Sequence, residues 1–333
     1  MKKEREQQTA KRCLITISIP VYNEEDNIKL LLDRLCRLAE KELQYEFEFL
    51  FTDNASTDRT FELIAEQAAN DKRIRVLRFS RNFGFQKSIL TNYRNARGDA
   101  AVQIDADLQD PPELISEFLR KWEEGYKVVY GVRRRRKESA FLAFSRKLYY
   151  SLIDNITSYP VPRNAGDFRL VDKLILNELL SVREQTPYLR GIIASLGYAQ
   201  IGIPYDRDQR KAGESKFNLL QLIEFGLDGI TAQSVRPLRL MTIFGFVVSI
   251  LSMLAGIYYL SASLFYYEKL PGGFTTIVLL IIFLIGLNAF LLGLIGEYVG
   301  RIFNNTRGLP LVYISERIEP TDGNGNLQEG ARE

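Results

Sequence analysis

Two kinds of hydrophobic pattern take turns along the first 130 residues. Leu14–Pro20 (LITISIP) is an apolar, β-branched run that reads as a strand, and a helical pattern follows through Glu40. Phe47–Thr52 leads through Asp53–Asp58 (DNASTD) to a helix ending near Asn70. Arg75–Phe79 is followed by Ser80–Phe85 and a helix to about Arg97; Ala101–Ile104 by the acidic stretch DADLQDPPE and a helix to about Gly125. Val128–Gly131 and Gln200–Tyr205 add two more strand-like runs. Strands alternating with helices predict an α/β fold, a doubly wound and mostly parallel sheet, whose ligands sit beyond the carboxyl ends of the strands. Tyr22, Asp53 and Asp105 fall at those ends, so residues far apart in sequence converge on one crevice.

The pattern changes past residue 235. Leu240–Phe265 and Phe274–Ile295 are each longer than the roughly 20 apolar residues that cross a bilayer. With only Tyr266–Gly273 between them they predict a transmembrane hairpin. Arg236 and Arg239 precede it and Arg301 and Arg307 follow, so the positive-inside rule puts both termini and the large N-terminal domain in the cytoplasm. Phe141, Phe144, Leu148 and Leu152 share one helical stripe within Phe141–Asp154, suited to a membrane surface or to packing on the sheet. Leu219–Ile230 sets Gln221, Glu224 and Asp228 largely opposite Leu219, Ile223 and Leu227, and leads into the membrane region as an amphipathic helix. The pairs Ala289/Gly293 and Gly296/Gly300 suit close contact within the hairpin or a homo-oligomer, dimer or tetramer, through the membrane helices. The expected organisation is a basic segment 1–12, a globular domain 13–217, a juxtamembrane helix 218–235, the hairpin 236–303 and a tail 304–333. In that tail Leu311–Ser315 returns as a short strand and the residues from about Pro320 are disordered.

Composition narrows the chemistry. The 333 residues include no histidine, which excludes Ser-His-Asp hydrolysis and histidine-ligated zinc and leaves carboxylates, Lys, Arg and Tyr. A net charge of +3 without a helix-turn-helix, zinc-finger or RNA-binding signature argues against nucleic acid. Cys13 and Cys36 have no metal-like spacing and read as buried thiols in a reducing compartment. The opening MKKEREQQTAKR is charged and runs directly into a strand, unlike a signal peptide. No G-x-G-x-x-G and no P-loop is present, so phosphates need a cation and arginines. Asp105 and Asp107, spaced D-x-D, read as ligands of Mg²⁺ or Mn²⁺ shared with a diphosphate, or as an ordinary acidic turn before prolines. Arg133–Lys137 (RRRRK) and Arg207–Lys216 (RDQRKAGESK) are candidate phosphate clamps, or exposed basic loops.

PVYNEE (Pro20–Glu25), DNASTD, DADLQDPP (Asp105–Pro112) and QRKAGESK (Gln209–Lys216) together resemble the family-2 glycosyltransferases, and their order resembles the polyprenyl-phosphate sugar transferases among them, from about Leu14 to Glu316. This group includes dolichol-phosphate mannose synthase and the bacterial undecaprenyl-phosphate glucosyltransferase. The resemblance implies a GT-A sheet in which Pro20, Tyr22, Glu24, Asp53 and Asp105 hold the nucleotide sugar and Asp107 with Gln109 binds the metal. Asp53-Asn54 stands where many relatives have two aspartates. NAGDFRL (Asn164–Leu170) matches the third acidic motif, so Asp105, Asp107 and Asp167 form the implied catalytic set. A phosphate monoester acceptor, with a second pKa near ~6, is already ionised at neutral pH, which leaves Asp167 to orient a substrate rather than take a proton. Arg133, Arg207, Arg210, Ser215 and Lys216 are implied to meet donor and acceptor phosphates. Asp58 and Asp110 read as helix caps, a role also open to Asp53.

The implied protein is an integral membrane enzyme with two transmembrane helices. It is an inverting, metal-dependent transferase moving a hexose, glucose from UDP-glucose, to undecaprenyl phosphate at the cytoplasmic membrane face. GDP-mannose with dolichol phosphate and a modified arabinose donor are the alternatives within the class; a non-catalytic membrane scaffold is the alternative outside it. A processive polysaccharide synthase would carry Q-x-x-R-W, whereas the single tryptophan, Trp122, sits in KWEE.

Overall fold

From Ile15 to Val21 every residue of β1 (Cys13–Val21) is buried, the signature of a strand covered on both faces. The computed structural model describes residues 12–134, 165–206 and 273–320, with scattered helical positions between 243 and 261. After β1 come α1 (Glu25–Lys41), β2 (Tyr45–Asp53), α2 (Thr60–Asn70), β3 (Ile74–Phe79), α3 (Phe85–Asn95) and β4 (Ala100–Gln103). A 3₁₀ turn at Pro112–Leu114 leads into α4 (Ile115–Glu123), then β5 (Val128–Arg133), β6 (Ala165–Asp172), α5 (Lys173–Leu179), α6 (Leu189–Ser195) and β7 (Gln200–Tyr205). The long α7 (Phe274–Thr306) and the strand β8 (Ile314–Ile318) complete the described elements. The chain divides into two compact units, one holding the sheet together with β8, the other holding α7.

The sheet has the order β7-β5-β6-β4-β1-β2-β3-β8. Its pairings make six strands run one way, as the alternating pattern predicts, but β6 and β8 run against their neighbours, so the sheet is mixed. Because β6 is reversed, its first residues lie at the rim where β1, β2, β4 and β5 end: Ala165 is in register with Val132. That reversal brings Asp167 to the same side of the sheet as the loops after β1, β2 and β4. The core beneath is built from Ile15, Ile17, Phe49, Phe51, Val102, Phe118 and Phe168, all at most 1% exposed.

Several expectations change. The return strand lies at Ile314–Ile318, three residues later than expected, because its register with β3 pairs Phe79 with Ile314. Cys13 is exposed and Cys36 half-buried, since β1 begins at the open rim opposite the strand ends. Of the two expected spans, the second forms α7, 33 residues and about 50 Å long at 1.5 Å per residue. Its segment Phe283–Thr306 is long and apolar enough to cross a bilayer, and none of it is buried in the protein. Within it, Asn288 donates to the Leu284 carbonyl of its own helix at 2.9 Å. The first span falls on residues described only at scattered positions, so one such helix, not a hairpin, is present among the described residues. Residues 1–11 and the amphipathic segments Phe141–Asp154 and Leu219–Ile230 lie outside the described residues.

A charge network holds the β3 edge. Glu48 on β2 accepts from the Thr16 hydroxyl, from the Arg97 N–H at 2.7 Å and from Arg75 at 3.1 Å. Arg75, buried, also donates to the Asn95 carbonyl at 2.9 Å and to Glu319 at 2.8 Å, just past β8. A buried cation stripped of its buried anion loses far more than one stripped of an exposed anion. Glu48→Gln, at a side chain 7% exposed, is expected to cost about 3 kcal/mol of unfolding free energy, and Glu319→Gln, 37% exposed, about 1 kcal/mol, read from urea denaturation midpoints of the purified protein. Equal losses would refute this ranking.

Candidate active site

Three of the loops at the strand ends carry a residue with a left-handed backbone that is not glycine: Asn23 (φ 55°), Ala55 (φ 60°) and Leu108 (φ 59°). Such a conformation costs roughly 1–2 kcal/mol per residue and persists where surrounding contacts over-determine it. Here the contacts are visible. The loops after β1 and β2 are stitched to each other: Asn54 N–H donates to the Val21 carbonyl at 2.9 Å, Asn23 N–H to Ser56 Oγ at 3.0 Å, Thr57 N–H to Asn23 Oδ1 at 2.8 Å and Glu24 N–H to Thr60 Oγ1 at 2.9 Å.

Between these loops and the one after β4 lies a cleft of about 290 Å³, lined by Pro20, Tyr22, Glu24, Asn54, Asp105 and Asp107 among others. Five of the expected donor and metal residues, Pro20, Tyr22, Glu24, Asp105 and Asp107, therefore meet, from the end of β1, the loop after it and the loop after β4, up to 87 positions apart in the chain. The acidic stretch alternates: Asp105, Asp107 and Gln109 are half-buried, while Ile104, Ala106, Leu108 and Asp110 are buried. The turn at Leu108 puts the three oxygen-bearing side chains on a side distinct from the apolar ones. Hard oxygen donors in this pattern fit Mg²⁺ or Mn²⁺, which commonly take one or two protein carboxylates and complete their shell with substrate phosphate and water. Among the described residues no group of three or more carboxylates or thiols is gathered for a metal.

Asp53 is fully buried at the end of β2. Its carboxylate accepts from Ser56 N–H at 3.1 Å and lies 3.4 Å from Arg78 Nε. Burial pushes its pKa up, against the opposing pull of Ser56 and Arg78. Asn54, the next residue, lines the cleft instead, with its amide fixed by Asn82 at 2.8 Å and its carbonyl by Phe83 N–H at 2.8 Å. Asp58 accepts from the N–H of Thr60, the first residue of α2, at 3.0 Å, but the cap position of that helix is taken by Arg59, without a side-chain cap.

The helix-cap reading of Asp110 is overturned. Neither the 3₁₀ turn nor α4 has a side-chain cap, and Asp110 is instead buried, accepting from the Tyr205 hydroxyl with Arg133 at 3.8 Å. Pro111 is extended at the cap position of the 3₁₀ turn, so the residue before it, Asp110, does not sit at the cap. Arg133 is thereby tied to Tyr205 and Asp110 in the sheet rim; burial lowers its pKa, but Tyr205, Asp110 and Asp105 more than reverse this. Arg207, Arg210, Ser215 and Lys216 lie outside the described residues.

Asp167, on reversed β6, is held bidentately by Arg190 of α6 at 2.9 and 2.7 Å, with Gln86 of α3 at 3.4 Å and Arg169 at 3.9 Å. Burial raises its pKa, yet Arg190, Arg169 and Arg133 together hold it below the usual carboxylate range. A carboxylate so engaged is a poor proton acceptor and a good fixed charge. The sequence reading missed Asn54's lining role, Asn82, Phe85, Ser88 and Arg190. The loop after β3 offered the first signal, since it follows a parallel strand; Arg190 offered none. A wider hollow of about 700 Å³ at the opposite rim is lined by Tyr45, Trp122, Lys127 and Asp172, but no parallel strand ends there and its charges bind one another.

Residues 16–180 match the family model Glycosyl transferase family 2. Over 302 residues the chain is 38% identical to an uncharacterized glycosyltransferase, YkcC, of Bacillus subtilis (strain 168), spanning 90% of this chain and 93% of that one. The chain belongs to glycosyl transferase family 2. This glycosyltransferase is also similar to the bactoprenol glucosyl transferase of Shigella phage SfX, at 32% identity over 304 residues, 91% of this chain and 99% of that one. A third relative is the undecaprenyl-phosphate 4-deoxy-4-formamido-L-arabinose transferase of Proteus mirabilis (strain HI4320), 31% identical over 323 residues, 95% and 97% of the two chains.

Removing Arg190 from the glycosyltransferase leaves burial to dominate at Asp167. In the native protein the lowered pKa gives a stabilisation present above the ordinary carboxylate range and lost as pH falls through the folded value. Arg190→Gln is expected to raise the Asp167 pKa, to move the acidic limb of the activity profile to higher pH, and to cost about 2 kcal/mol of stability, discounted because Arg190 is one-third exposed. Activity against pH for both proteins is the measurement; an unmoved acidic limb would contradict the pairing.

Proposed function

We propose that this glycosyltransferase transfers a hexose, with inversion, from a nucleotide diphosphate sugar to a polyprenyl phosphate, and that the pair is UDP-glucose and undecaprenyl phosphate. The observation that carries the reading is the meeting of Tyr22, Glu24, Asn54, Asp105 and Asp107 on one cleft at the strand ends. The acceptor and the sugar are supported by near full-length similarity to a bactoprenol glucosyl transferase. The relative named for an undecaprenyl-phosphate arabinose derivative supports the same acceptor and favours a second donor, a 4-substituted arabinose.

In this reading Pro20, Tyr22, Glu24, Asp53 and Asp105 bind the nucleotide and ribose, a carboxylate accepting from base N–H or sugar hydroxyl. Asp107 and Gln109 are the residues that would hold a divalent cation, which would supply positive charge to stabilise the leaving diphosphate. An acceptor phosphate oxygen attacks the anomeric carbon, the bond from that carbon to the diphosphate oxygen breaks, and the electron pair leaves with the nucleoside diphosphate. No proton need be removed from an acceptor already ionised. Asp167, pinned by Arg190, orients sugar or acceptor, and Arg133 with Arg207, Arg210, Ser215 and Lys216 meets the phosphates. The α7 helix supports a membrane anchor that brings the cleft to a lipid substrate, with the domain on the cytoplasmic side and homo-oligomers formed through the membrane helices.

Purified protein given a panel of radiolabelled nucleotide sugars with undecaprenyl phosphate is expected to yield labelled lipid from UDP-glucose, and to lose it with EDTA. Asp107→Asn should cut turnover by about 10²-fold or more, with loss of bound Mn²⁺ measured separately by electron paramagnetic resonance. Lipid product from no donor would sink the enzyme reading in favour of a scaffold; full Mn²⁺ binding in the variant would sink the ligand assignment.

A further inference from the structure

The edge strand β8 touches different things at its two ends. Past its far end, Glu319 binds Arg75 and Arg97, at 2.8 and 2.9 Å, away from the cleft. Its near end lies beside the rim, where Ile314 and Glu316 are in register with Phe79 and Arg78. From there two routes run inward. Arg78 Nη1 donates to Glu316 Oε1 at 3.1 Å, its Nε lies 3.4 Å from Asp53, and its guanidinium covers the Phe61 ring at 4.2 Å. Tyr313 accepts from Ser80 N–H at 2.9 Å through its carbonyl and sets its ring 6.2 Å from that of Phe83. Phe83 packs edge-on against Phe79 at 5.7 Å and donates its N–H to Asn54, whose amide in turn reaches Asn82.

The two routes end on adjacent residues, Asp53 and Asn54, at the carboxyl end of β2. The loop from Ser80 to Gly84 has no regular structure of its own, so its position follows from its anchors, Asn54 on one flank and Tyr313 on the other. Arg78 is likewise held between two carboxylates and a ring, and its place decides the field at buried Asp53. We propose that Glu316 and Tyr313 are positioning residues for the nucleotide end of the cleft, acting through Arg78 and Phe83. The strand that follows the long apolar helix then belongs to the donor-binding machinery and is more than a cover for the sheet edge. This inference rests on the donor-site reading of the cleft.

Titration calorimetry of the full chain with UDP and GDP as probes, in the presence of Mn²⁺, tests it. Glu316→Gln is expected to weaken binding of the nucleotide by roughly threefold and Tyr313→Ala by roughly fivefold, the double variant by about their product. Tyr313→Phe keeps the ring and should restore native affinity. Glu319→Gln, at the other end of the strand, should lower the melting temperature and leave nucleotide affinity unchanged, which separates positioning from general stability. Native affinity in both Glu316→Gln and Tyr313→Ala, or an equal loss in Glu319→Gln, would overturn the proposal. Absence of UDP and GDP binding to the unaltered protein would instead remove the donor-site reading, and this proposal with it.

Discussion

A parallel strand that ends at a ligand must turn its chain sharply without burying unpaired backbone groups, and this constraint governs the rim of the sheet. Asn23, Ala55 and Leu108 meet it with left-handed backbone in the loops after β1, β2 and β4, where glycine would be the unstrained choice. The strain is offset by reciprocal hydrogen bonds between the first two loops, so neither loop keeps its shape without the other. Tyr22, Glu24 and Asn54 are consequently held by a shared scaffold, and in the acidic stretch Leu108 buries its own side chain. A cleft made this way is preorganised, which suits a transfer reaction in which charge placement supplies most of the chemistry.

Burial sorts the acidic residues into those that shape the site and those that face it. A carboxylate removed from water needs a cation or several donors. Asp110 obtains Tyr205 and Arg133, and Asp167 obtains Arg190 and Arg169, so both become fixed parts of the wall. Asp105 and Asp107 remain half-buried at the cleft, within reach of a substrate. The reversed direction of β6 is what permits this: a parallel β6 would begin at the opposite rim and carry Asp167 away from the cleft.

The match to glycosyl transferase family 2 spans residues 16–180, which hold most of β1, the strands β2 to β6 and the loops that line the cleft. The similarity to transferases named for bactoprenol and undecaprenyl phosphate extends over nine-tenths or more of the chain, beyond that domain. Beyond the family domain, β8 returns to the sheet to pair with β3.

The alternation of strand and helix signals, the residues at the ends of β1, β2 and β4, and the apolar character of α7 were all legible in the sequence, because each depends on hydrophobic period or on neighbours in the chain. Topology alone put Tyr22, Asp53 and Asp105 at one crevice, of which Tyr22 and Asp105 line the cleft and Asp53 is buried beside it; Glu24 and Asp107 came from the motifs. The direction of β6, the partners of Asp110 and Asp167, and the lining role of Asn54 and Asn82 could not be read from either. Whether Asp110 caps a helix or meets Tyr205 is decided by a contact across 95 positions, and Arg190 carries no local mark of its bond to Asp167. Local pattern reports which face of an element is apolar; only the packed structure decides which buried charge finds which partner, because that choice depends on distances no sequence interval encodes.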